Sequence, residues 1–439
     1  MTETSNGFLA RLLKKTTTIE DNEIKAASLS FAFVFILMAA YYILRPVRDG
    51  MAGDWSSAEV STLWTINFFL STGLVAVWGL VVSRFEFKRL VPGVYAFFAA
   101  SFVIFYVAVQ SAQDSVLINK TFYVWVSVFA LFHISVFWSF MADTFNKDQA
   151  GRLFAVIASG ASLGAIVGPL LSGTLSKILG TETLMLIAAV MLMLPIPLIL
   201  LLGKLKVTEL GNAELAVNSA TTKIGGNPFG GFREFFSNPY LLGIGVFIIL
   251  YTSIGSFVYL QQNTLLGPLD LDTRVMILGY RDAALNTLTY LMAFFVTGRL
   301  VSKMGMRVTL PLIPVLVIAG MLILAFSPIL LVAVGLHIAS KAGNYAITRP
   351  AREMLFTQVS RESRFKTKPV IDIVAYRGGD VINGWFFTGL TQGLGLSLGA
   401  VAAVGAVIAA VWAFIGYLLG RKFERISEAD PQDRSVDTA

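Results

Sequence analysis

Long apolar stretches alternate with short polar ones along the whole chain. Twelve of them approach the length of about 20 residues that a helix needs to cross a hydrocarbon layer. They are residues 26–44, 62–83, 90–109, 121–141, 153–176, 184–203, 241–261, 275–296, 308–327, 329–347, 373–393 and 396–420. The pattern predicts an all-α membrane protein with twelve transmembrane helices. The longest internal polar segment divides the runs six and six. The expected organisation is therefore an N-terminal segment 1–24, a first six-helix half 25–203, a connector 204–240, a second half 241–420 and a tail 421–439. Residues 1–24 are polar, with no apolar core and no small-residue cleavage site, so no cleaved signal peptide is expected.

Composition agrees with a bilayer as solvent. Of 439 residues, 56% are hydrophobic and only 14% charged, with a mean hydropathy of +0.72; soluble domains carry about 25% charged residues. With no cysteine there is neither a disulfide nor a thiol metal site. The net charge of +7 is distributed by side. Most of the 34 Lys and Arg residues fall in the termini and the even-numbered loops, whereas the odd-numbered loops hold only Lys120, Lys177 and Arg274. Basic loops stay on the cytoplasmic side, so both termini are expected in the cytoplasm of a bacterial inner membrane. The basic excess then belongs to a lipid surface, and nucleic acid is not an expected partner.

Five basic residues remain within or at the ends of the runs: Arg45, Arg48, Arg281, Lys341 and Arg377. Against them stand Asp49, Asp282 and Asp380. Runs 3, 6, 9 and 12 carry no charge and read as a lipid-facing support. Ionised side chains avoid lipid, so the charged runs should face a wet hollow between the halves. A positive excess at low dielectric attracts an anion. Two stretches repeat a pattern: "YYILRPVRD" closes the first run, and "YAITRPARE" closes the tenth. In each, proline should end or kink its helix, one copy at the outer face and one at the inner. Arg45, Arg48 and Asp49 share a face with Tyr41 and Tyr42, and Arg349, Arg352 and Glu353 repeat this below Tyr345.

The candidate substrate contacts are Tyr42, Arg45, Arg48, Arg281, Asn286, Lys341, Tyr345 and Arg377. The candidate gating or proton-coupling residues are Asp49, Asp282, Arg349, Arg352, Glu353 and Asp380. Plainer readings stand beside these: arginines at helix ends snorkel to headgroups, and Arg281–Asp282 and Arg377–Asp380 are structural pairs. His133 reads as a hydrogen-bonded packing residue. Two histidines, no cysteine, no phosphate loop and no His/Glu cluster leave no parts for an enzyme, a cofactor or a metal.

In the fifth run, "GASLGAIVGPLLSG" places Gly160, Gly164 and Gly168 on one face, suited to close helix contact. It resembles the Gly-Pro signature of major facilitator antiporters. "GRLVSKMGMR" (298–307) is similar to that superfamily's loop between helices 8 and 9, with Ser302 in place of the acid. Two six-helix halves with a cytoplasmic connector also resemble major facilitator transporters. A narrower resemblance rests on "YYILRPVRD" and on "NYAITRPAREMLFTQVSRESRFKTKPVIDIVAYRGGD". Pro350, Arg352, Glu353 and Met354, then Glu362, Ser363 and Arg364, then Lys368, Ile371, Asp372, Ile373 and Val374 are similar to motifs of the plastid and bacterial ATP/ADP-exchange carriers. That resemblance implies a secondary active transporter exchanging a nucleotide or similar phosphorylated anion by alternating access; a monomer is expected. Arg48 falls near that family's helix 1 lysine and Asp380 near its helix 11 lysine, while the fourth run has no acid. A proton-coupled exporter of drugs or amphipathic solutes, using Asp282 or Asp380, is the alternative.

Overall fold

The computed structural model describes residues 19–82, 87–112, 115–212, 235–297, 304–359, 367–368 and 371–429. Among the described residues there are helices and no strand. The helices follow the predicted runs: α1 Ile24–Met51, α2 Ser57–Val82, α3 Phe87–Ser111, α4 Val116–Thr144, α5 Lys147–Leu179 and α6 Thr181–Thr208. Then come α7 Pro239–Leu266, α8 Leu271–Met292, α9 Met306–Phe326, α10 Leu330–Gln358, α11 at 371–393 and α12 Leu398–Ala429. Nine of these are long and apolar enough to cross a membrane among the described residues; α2, α8 and α11 are the others. Helix α8 is the most polar of the set, with Asp272, Arg274, Arg281 and Asp282 in 22 residues.

Local chemistry sets several boundaries. Asn146 accepts from the Gln149 N–H while the Gln149 side chain accepts from the Asn146 N–H, a capping box that starts α5. Gly180, at φ +80°, turns the chain from α5 into α6, a left-handed conformation that a side chain would strain. Asn238 caps α7, and Pro239 occupies its first position, where no N–H is needed.

The prolines of the repeated motif do not stop their helices. Pro46 lies inside α1, which runs on through Arg48 and Asp49 to Met51. In α10 the five residues Asn344–Thr348 form a π-turn, and Pro350 enters the first turn of the α-helical segment Arg349–Leu355. A wider turn ahead of a residue without an N–H absorbs the missing α-helical bond. Helix α11 likewise opens with a π-segment, Asp372–Gly378, and ends with another, Gly389–Gly393. Helix α12 continues to Ala429, into the stretch read from sequence as a tail.

Contacts divide the chain into two units. The first comprises Met1–Met51, Phe69–Ile224 and Leu271–Ala283; the second comprises Ala52–Phe68, Gly225–Asp270 and Ala284–Ala439. In the first, α1 packs along α5 with the glycines at the seam. A Cβ on Gly160, Gly164 or Gly168 would lie 2.7, 2.4 and 2.4 Å from the carbonyl oxygens of Phe31, Phe35 and Ala39. The opening turns of α8 are fastened in the same unit. Asp272 Oδ1 accepts from the Thr181 N–H at 2.9 Å and from its hydroxyl at 2.6 Å, and Arg274 donates to the Gly50 carbonyl at 3.3 Å. In the second unit, α9 packs along α12, and the start of α2 is joined to α11. Ser61 and Thr388 hydroxyls meet at 3.2 Å, and the Trp385 indole donates to Thr65 at 3.1 Å.

Candidate functional site

The charged residues assemble into two groups, one in each unit. In the first unit, Arg48 curls back on its neighbour: Nε and Nη2 both donate to Asp49 Oδ1, at 2.9 and 2.7 Å. Arg281 does the same to Asp282 Oδ1 on α8, also at 2.9 and 2.7 Å. Two cross-contacts join the helices, Arg281 to Asp49 at 3.6 Å and Arg45 to Asp282 at 3.5 Å. Three arginines thus face two aspartates. Both aspartates and Arg281 are fully buried, while Arg45 and Arg48 keep 18% and 15% side-chain exposure. Aromatic faces support the exposed pair, with Tyr42 under Arg45 at 5.6 Å and Tyr123 under Arg48 at 5.3 Å. Ser127, one turn from Tyr123 on α4, accepts from Arg48 Nη1 at 3.3 Å. Charges this deep are kept only where partners satisfy them, and here Asp49 has three arginine partners and Asp282 two.

Further along the same face of α1, Tyr41 stacks on His133 with ring centroids 4.5 Å apart. The His133 Nδ1 lies 3.1 Å from the Phe129 carbonyl, which is the packing role expected of it.

In the second unit, Lys341 of α10 points its ammonium at Tyr251 of α7, 3.4 Å from the hydroxyl and 5.1 Å from the ring centre. It forms no ion pair with a described carboxylate. Asp380 of α11 is exposed and lies within Coulombic reach of Lys341 and Arg377. Tyr376 sits edge-on to Tyr251 at 6.3 Å. Tyr345 is half-exposed and Arg349 exposed on α10, and both act electrostatically on Tyr251. A third arginine–acid neighbour pair closes this group: Arg352 Nη2 donates to Glu353 Oε1 at 2.6 Å, and Lys368 donates to Glu353 Oε2 at 2.6 Å. Arg352 also donates to the Tyr376 hydroxyl, tying α10 to α11.

The sequence matches the Major Facilitator Superfamily over residues 30–364. The chain belongs to that superfamily. No curated protein matches it. Solved structures with the same fold include a bacterial homolog to the human lysosomal transporter Spinster, inward-facing and unoccupied. It has 17% identity and a TM-score of 0.59, over 91% of this chain and 98% of that one. The nucleoside transporter NupG has 13% identity and a TM-score of 0.62, over 91% and 99%. The Spinster homolog in its occupied state has a TM-score of 0.54 at 15% identity, over 96% and 99%. The chain is accordingly a multi-pass membrane transporter, not an enzyme.

Within this major facilitator fold, the structure brings together Tyr42, Arg45, Arg48, Asp49, Arg281 and Asp282. It separately gathers Lys341, Tyr345, Arg349, Arg352, Glu353, Arg377 and Asp380. Asn286 is half-buried and falls in the second unit. The expected Arg281–Asp282 structural pair is present. Buried Arg352 links α10 to α11 through Tyr376, and the half-exposed Glu353 pairs with Arg352 and Lys368. Sequence reading missed Tyr123, Ser127 and Tyr251. Its usable signal for the first cluster was the dipeptide Arg-Asp, which occurs at 48–49 and again at 281–282. The candidate residues Glu362, Ser363 and Arg364 and most of the loop 298–307 lie outside the described residues.

Proposed function

We propose that this major facilitator protein is a secondary transporter for a small anionic solute, a nucleotide or another phosphorylated compound, working by alternating access and exchange. One observation carries the reading: the α1–α8 cluster holds three arginines against two sequestered aspartates, so the groups it presents to solvent are cationic. Lys341, which donates to the Tyr251 hydroxyl, adds a second cation. Buried charge of one sign focuses an oppositely charged solute. The resemblance to ATP/ADP-exchange carriers supplies the solute class. With an aspartate near the family's helix 11 lysine, Asp380 competes with the solute for Lys341 and sets the release step.

The cluster also suits a gate at the outer end. Arg48–Asp49 and Arg281–Asp282 are each carried on one helix, so they travel intact when α1 and α8 separate. Only the longer Arg45–Asp282 and Arg281–Asp49 contacts break, and no carboxylate is left bare. In this reading the protein acts as a monomer in a bacterial inner membrane with both termini cytoplasmic, and the 25–203 and 241–420 halves are the moving bodies. The test is counterflow into proteoliposomes. Labelled nucleotide or phosphate entering against unlabelled solute inside, without a proton gradient and lost in Lys341→Gln, supports it. Uptake of neither, with gradient-driven efflux of a lipophilic cation, refutes it in favour of drug export.

A further inference from the structure

The five charges of the α1–α8 cluster are not equivalent. Arg48 and Arg281 each commit Nε and Nη2 to one aspartate oxygen. Arg45 approaches both carboxylates through Nε, at 3.5 Å to Asp282 and 3.9 Å to Asp49, and donates no hydrogen bond to a described residue. Tyr42 covers a face of its guanidinium, and its side chain is the most exposed of the five. Its two terminal amino groups make no hydrogen bond to a described residue, and the side chain keeps 18% exposure. A guanidinium held by one edge, with two parallel N–H donors open, matches the oxygen pair of a carboxylate or phosphoryl group.

We propose that Arg45 is the oxyanion-binding fork of this transporter, and that Arg48 and Arg281 form the lattice that aims it. This rests on the anionic-solute reading and divides the work among its arginines. Asp282 both orients the fork through Nε and weakens its field, so a solute oxyanion displaces part of that interaction when it binds. Ser127 and Tyr123 hold Arg48 away from the solute by fixing it on Asp49 and α4.

The test uses purified full-length protein in detergent with inorganic pyrophosphate and malonate as probes, and chloride at matched ionic strength as control. Affinity is read from ligand-dependent thermal stabilisation. Pyrophosphate or malonate should stabilise the wild type where chloride does not, and the tighter probe names the phosphoryl or the carboxylate group as the one recognised. Arg45→Lys keeps the charge and loses the fork, and should weaken the tighter probe by about tenfold, more than Arg48→Lys does. Asp282→Asn, which lifts the opposing charge while Arg281 stays inaccessible, should tighten binding, and Arg45→Lys/Asp282→Asn should abolish the gain. Arg45→Lys at wild-type affinity, or no tightening in Asp282→Asn, overturns the fork. Binding that survives Arg45→Lys but is lost in Lys341→Gln overturns the fork alone, whereas a wild type that binds neither probe removes the anionic reading itself.

Discussion

Arg281 of α8 lies 3.6 Å from Asp49 of α1, although each is already paired with the residue next to it on its own helix. The contact makes a closed lattice out of two independent neighbour pairs. It also predicts a large cost for removing one member. Asp49→Asn leaves Arg48 and Arg281 facing each other without their shared acid, and should destabilise the protein by about 3–5 kcal/mol. Thermal unfolding of the purified variant checks this. A change below about 1 kcal/mol, the range of exposed pairs, would show that the lattice is solvated.

The seam between α1 and α5 has no room for side chains at its glycines. Gly164→Ala places a methyl 2.4 Å from the Phe35 carbonyl, and Gly168→Ala places one 2.4 Å from that of Ala39. Backbone cannot yield as a flexible side chain does, so each should cost about 1–3 kcal/mol or prevent folding. Gly151→Ala, where nothing lies within 4 Å, is the control and should unfold at the wild-type temperature.

The twelve apolar runs were legible because a bilayer forces every backbone polar group to be satisfied within its own helix, which writes length and hydropathy into the sequence. The small-residue face of α5 was legible for the same kind of reason: Gly160, Gly164 and Gly168 have one helical spacing. The charge lattice was not. Residues i and i+1 on a helix point in different directions, so Arg48 next to Asp49 does not read as a pair. Only the length of the arginine side chain lets it fold back. The repeated Arg-Pro pattern drew attention instead, yet Pro46 does not end α1, and the copy in α10 serves a link to α11. Which helix supplies the cross-partner is tertiary information, and Arg281 lies more than two hundred residues from Asp49.

Helix α6 begins under a cap from α8. Asp272 accepts from both the Thr181 N–H and its hydroxyl. Asp272→Ala should cost about 1 kcal/mol, the usual worth of a helix N-cap. Because the chain has no native cysteine, a single cysteine introduced at Lys177 reports the same event by alkylation. Faster labelling in Asp272→Ala is expected, and an unchanged rate would show that the cap holds nothing at that end.

Gly255 leaves space for the Lys341 ammonium. A methyl there would stand 3.1 Å from Nζ. The end of a lysine moves easily, so Gly255→Ala should cost no more than about 1 kcal/mol, the usual net worth of one hydrogen bond. It should nevertheless weaken solute binding by pushing the ammonium off Tyr251. Unfolding temperature and counterflow uptake, measured on the same preparation, separate the two effects; unchanged uptake would place Lys341 outside the solute path.

The sign of the transported charge is the claim on which the account stands. Currents recorded from proteoliposomes on a solid-supported membrane, during rapid exchange among nucleotides, inorganic phosphate, malonate and a lipophilic cation, measure it directly. The expected result is a transient displacement of negative charge with one or more of the anions, absent in Lys341→Gln, and none with the cation. A response to the cation alone would contradict it.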